Sequence, residues 1–142
     1  MNAMQVLDNV NLLLNDGEAF KARYGYAEKW NICNVCEELG IFDWWNDKLS
    51  MSQLKQMRSF LMTAIDLGFT GYVCFKVGVA GCSHGMWAHT LESTDGYSPR
   101  DGACLFHSFR NGDNYYDLRT NDGRWAQEEL TLAGVKKIVA AM

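Results

Sequence analysis

Gly81-Cys82-Ser83-His84-Gly85 matches the Gly-x-Ser-x-Gly pattern of a nucleophile elbow, in which glycines allow a tight strand-to-helix turn that lifts a serine clear of a sheet. An apolar run ending at Val79 precedes it, and Asp95 or Asp101 and then His107 follow, an order that suits a serine, carboxylate and histidine relay. Cys82 with His84 or His107 offers a second nucleophilic pairing, a thiol beside an imidazole base. A small hydrolase built on Ser83 or Cys82 is therefore one reading. The surroundings weigh against it, because an elbow needs parallel strands with crossover helices of roughly 30 residues or more per unit. The segment after Gly85, MWAHTLES, reads as a strand at least as well as a helix. A glycine-rich hairpin turn is the simpler account.

Cys33-Asn34-Val35-Cys36 has the spacing of half a zinc site, which Cys82 and His84 could complete. Positions three apart also share a helix face, so Cys33 and Cys36 continue the stripe of Trp30 and Leu39 as small core residues. No metal is expected on this account. The chain also lacks a GxxxxGK[ST] loop, an HExxH pair, a dinucleotide fingerprint and an EF-hand loop, so no cofactor is expected either.

His89 and His107 each alternate with large apolar residues, Trp87 and Leu91 for one, Leu105 and Phe109 for the other. Both are expected to point inward, either as core histidines hydrogen-bonded to backbone or tyrosine, or as the polar spot of a small-ligand pocket completed by Arg110. Cysteine chemistry would require Cys82 or Cys104 beside one of these rings. Every basic residue between Val77 and Val135 is an arginine, namely Arg100, Arg110, Arg119 and Arg124, and the planar guanidinium suits a small anionic ligand. Tyr115, Asp117 and Arg119 share one strand face opposite Tyr116 and Leu118, which predicts an exposed aromatic and charged surface. An ordinary solvated face with arginines paired to Asp113, Asp117 and Asp122 is the plainer alternative. The 92–102 segment, ESTDGYSPRDG, is long for a hairpin connection and presents Tyr97 beside Ser98-Pro99. Trp44-Trp45 offers one ring for the core and one for an interface.

The elements that must position these residues divide the chain in three. Residues 1–68 read as helical, 69–130 as an antiparallel sheet and 131–142 as a closing helix, together one α+β domain spanning 1–142. Met4, Leu7, Val10, Leu13 and Leu14 recur at helical spacing, and Asn15-Asp16-Gly17 is expected to end that helix with a left-handed glycine. A short helix over 18–24 and another over 26–39 follow, each closed by a glycine. Ser50 with Gln53 makes a capping box, flanked by Leu49 and Leu54, for a helix over 51–67. The sheet is expected as a meander of about four strands that buries Val73, Phe75, Val77, Trp87, Leu105, Phe109, Tyr116 and Leu118. Thr131 caps the last helix, which should pack on the sheet.

Composition narrows the function. The chain has 142 residues and a net charge of -4, and both its helical and its sheet halves carry more acidic than basic residues. General nucleic-acid binding draws most of its affinity from phosphate neutralisation, so it is not expected. Five cysteines cannot all pair internally, and no apolar run approaches a membrane span, which points to free thiols in the cytoplasm and no membrane association. The leading expectation is a small acidic binding protein that docks on a protein partner, with a phage or mobile-element inhibitor of a bacterial defence system as a special case. Tyr97, Arg110, Tyr115, Asp117, Arg119, His89 and His107 are its expected binding residues.

Overall fold

A computed structural model of the chain describes residues 1–25, 36, 38–41, 51–77, 84–108, 115–122 and 130–142. Helix α1 (Ala3–Asn15) begins at a reciprocal cap: the Asn2 side chain accepts from the Gln5 amide at 3.0 Å, and the Gln5 side chain accepts from the Asn2 amide at 2.8 Å. Its buried face is Ala3, Val6, Asn9, Val10 and Leu13, while Met4 is exposed, so the stripe is rotated from the one expected through Met4 and Leu7. The cause is tertiary. The Ala3 amide donates to the Gly71 carbonyl at 3.0 Å, which sets small Ala3 directly on the entry to the sheet. Asp16, not a left-handed Gly17, joins α1 to α2 (Gly17–Tyr24): its amide donates to the Leu12 carbonyl and its side chain accepts from the Ala19 amide. The left-handed glycine comes one helix later, at Gly25.

Helix α3 (Met51–Asp66) buries Leu54, Met57, Phe60, Leu61 and Ala64. It stops in a Schellman motif, with the Phe69 amide bonded to the Ala64 carbonyl, the Gly68 amide to the Ile65 carbonyl, and Gly68 at a φ of +93°. This reversal aims the chain into the sheet. Ser50, the expected cap, lies outside the described residues, as does most of the helix expected over 26–39; the Ile41-to-Cys36 bond across left-handed Gly40 shows the expected stop at Gly40.

Strands β1 (Val73–Val77), β2 (His84–His89), β3 (Cys104–Ser108) and β4 (Tyr116–Arg119) form a four-stranded antiparallel meander in sequence order. Leu130 extends it by one rung on Tyr116, with both backbone bonds at 2.8 Å, and α4 (Leu132–Ala140) starts immediately after, capped by Thr131. Helices, meander and closing helix are the α+β arrangement expected.

Alternation along the strands gives two unlike faces. The inner face carries Val73, Phe75, Met86, Ala88, Leu105 and Leu118, all buried in one cluster with α1 and α3. Trp87 was expected on this face and is not there. Register pairs Trp87 with Cys74 and Phe106 on the outer face, where its ring lies 4.5 Å from that of Phe106 and is half-buried. Met86 takes the inner position, because a period of two reads equally well in either phase when both neighbours are apolar. Tyr116 is inward but only half-buried, and the expected burial of Val77 and Phe109 falls outside the described residues.

Candidate functional site

The outer face holds a second, partly polar packing layer. Cys74, His89, Cys104 and Ser108 are buried on it, and Tyr72, Phe106, Asp117 and Arg119 are half-buried. The connection from β2 to β3 folds over its end. Thr90 ties the foot of this loop, its amide donating to the Ala103 carbonyl at 3.0 Å and its hydroxyl accepting from the Ala103 amide at 3.1 Å. At the tip, Thr94 and Tyr97 exchange backbone bonds at 3.1 and 2.9 Å around Asp95 and Gly96, whose φ values of +51° and +82° are the pattern of a type I′ hairpin. Tyr97 stands 76% exposed beside this turn, whereas Pro99 is buried.

Arg119 clamps the loop from below. Its Nε donates to the Gly102 carbonyl at 3.3 Å and its Nη2 to the Pro99 carbonyl at 3.1 Å. Nη2 also lies 3.4 Å from His89 Nδ1, and a guanidinium only donates, so Nδ1 holds the lone pair and the His89 proton sits on Nε2. That proton faces Cys104 Sγ at 3.6 Å. The Cys104 and His89 pair therefore has the proximity cysteine chemistry requires but the wrong electrostatics. Burial, with the Arg119 charge second, lowers His89 to about 4, and burial pushes the Cys104 thiol up to about 12 although Arg119 pulls the other way. A neutral ring that points an N–H at a protonated thiol neither removes a proton from it nor stabilises a thiolate. The cluster holds the loop.

His107 is elsewhere. It faces inward on β3, directly opposite Tyr116, with ring centroids 4.5 Å apart, and Phe60 of α3 stacks on its other side at 6.0 Å. Its Nδ1 lies 3.1 Å from the Tyr115 carbonyl, which accepts, so Nδ1 carries a proton. The three rings border a cleft of about 470 Å³ against the polar side of α3. His89 and His107 therefore do not share one pocket: they lie on opposite faces because Cys104, beside His89, and His107 are an odd number of residues apart on β3, while Arg110 falls outside the described residues.

Tyr115, Asp117 and Arg119 follow one another along the outer side of β4 as expected, but Arg119 is half-buried under the loop and not a displayed charge. Ser83, Cys82, Cys33, Arg110, Trp44 and Trp45 lie outside the described residues, as does the side chain of His84. An elbow at Ser83 would be followed by a helix; residues 84–89 are instead β2, paired antiparallel with β1. Cys36 is buried in the main core beside Leu39, and among the described residues no three histidine, cysteine or acidic side chains gather as a metal site. No helix among them is long and apolar enough to cross a membrane.

Two features escaped the sequence reading. Asp95-Gly96 is a hairpin signal that went unused inside what looked like an open loop. Ser52, Lys55, Ser59 and Thr63, which carry no motif, line the cleft from the exposed side of α3. Comparison with protein-family models, with curated proteins and with solved structures finds no match to this chain.

Proposed function

We propose that the chain is a non-catalytic binding protein that docks on a protein partner through the β2–β3 loop, with Tyr97 as its anchor. The observation that carries this reading is a 76% exposed phenol on a loop otherwise pinned at its foot, its turn and its underside. A large aromatic left in water is unfavourable for the free protein, and a loop held in place loses little further freedom on binding. Tyrosine is among the residues that carry most interface energy when buried by a partner. The 92–102 segment that carries Tyr97 holds Glu92, Asp95 and Asp101 against Arg100, so a partner with a basic patch fits best. Cys36, Cys74 and Cys104 are not joined in disulfides, which suits action in the cytoplasm. Inhibition of a bacterial defence component by a phage or mobile-element protein is the special case of this reading.

The test is affinity capture from the native host with the full chain and with Tyr97→Ala as parallel baits. The expected result is a partner retained by the wild type and reduced about tenfold or more with the variant, at an unchanged melting temperature. Equal capture by both baits would remove the loop from the interface.

A further inference from the structure

We propose that the cleft between α3 and the β3–β4 side of the inner sheet face binds a small organic anion, its charged group held by Lys55, Ser52 and Ser59 and its planar body set against Phe60, His107 and Tyr116. This site is separate from the docking loop, on the other face and at the opposite end of β3.

α3 packs along its Leu54, Met57, Phe60, Leu61 and Ala64 side, and the cleft lies between its adjoining polar side and His107 and Tyr116. The neighbouring helix positions Ser52, Lys55, Gln56, Ser59 and Thr63 recur three and four apart and so form one polar wall. Opposite them lie the rings of His107 and Tyr116, stacked with Phe60 and half-buried or buried. The volume of about 470 Å³ falls within the roughly 300 to 1,000 Å³ of small-molecule sites, and a few convergent polar groups beside an aromatic wall is their usual composition.

Charge selects the ligand. In a chain of net charge -4, the described residues that line this cleft include no carboxylate and one ammonium, Lys55, which makes no ion pair among the described residues. The hydroxyls of Ser52, Ser59 and Thr63 and the Gln56 amide can all donate. Burial raises the Tyr116 phenol, so it too remains a donor across the physiological range. A wall of donors with one fixed positive charge and no competing acceptor charge is complementary to a phosphate or carboxylate.

Phenyl phosphate is a small probe that carries both a ring and an anion, and benzyl alcohol is a neutral counterpart. Titrating each into the isotope-labelled full chain, with amide chemical shifts as the readout, should give saturable shifts at Ser52, Lys55, Ser59 and Tyr116 for phenyl phosphate and at least fivefold weaker binding of benzyl alcohol. Lys55→Gln should weaken phenyl phosphate about fivefold, the scale of one partly screened charge. Lys55→Arg should retain it, and Lys136→Gln, on exposed α4, should leave it unchanged. Tyr97→Ala should leave it unchanged as well, which keeps this test distinct from that of the docking loop. No saturable shifts at the cleft, equal affinity for the two probes, or equal loss in the Lys55 and Lys136 variants would each overturn the proposal.

Discussion

Arg119 shows how one side chain can be assigned by type and misjudged by setting. Alternation placed it correctly on the outer face of β4, yet its fork is spent on the carbonyls of Pro99 and Gly102 and on His89 Nδ1. Charge-assisted bonds to half-buried carbonyls are worth more than exposed ones. Arg119→Ala is therefore expected to cost about 2 kcal/mol, a fall of roughly 6 °C in Tm for a chain of this size. It should also speed hydrogen exchange of the 92–102 amides selectively. An exchange profile unchanged in that loop would show that Thr90 and the turn hold it without the arginine.

At the scale of elements, the two loops that matter are set by glycines with different demands. Gly68 ends α3 at a φ of +93° with open space where a Cβ would go, so Gly68→Ala pays only the backbone term, about 1 kcal/mol. Gly102 sits at +81° at the end of the β2–β3 loop, and a Cβ there would come within 2.9 Å of both Leu91 Cγ and Thr90 Oγ1. Gly102→Ala should therefore cost at least twice as much as Gly68→Ala in chemical denaturation, since steric displacement of the loop foot adds to the backbone strain. Equal losses would mean that the foot of the loop yields freely.

For the molecule as a whole, the outer-face cluster makes stability depend on pH. His89 titrates near 4 in the fold against 6.5 when unconstrained, so above 6.5 both states are neutral and the contribution is complete. As pH falls from 6.5 to about 4 the unfolded chain takes up a proton that the fold refuses, and stability declines; below about 4 the folded ring protonates too and the decline from this group ends. With allowance for screening at the loop edge, the loss is on the order of 2 kcal/mol. His89→Gln can still accept from Arg119 and donate toward Cys104 but does not titrate, so the difference between the two unfolding curves should open through this window. Parallel curves for wild type and variant would show that carboxylates, not His89, govern acid stability.

Much of the architecture was legible in local pattern. The α+β order, the meander, the Thr131 cap, the glycine stop at Gly68 and the exposure of Tyr97 follow from hydrophobic period and turn chemistry, which act over a few residues and are written in the chain directly. Tertiary structure alone decided what those patterns leave degenerate. The phase of β2 turned on which of Met86 and Trp87 met the helices, and the rotation of α1 on a backbone bond from Ala3 to Gly71, distant in sequence and adjacent only after folding. The same holds for the sites. His89 and His107 look alike in sequence, but strand register sends one beneath the β2–β3 loop, kept neutral by burial and then by Arg119, and the other to an open cleft that Lys55 also lines, because register and not composition determines which distant side chains meet.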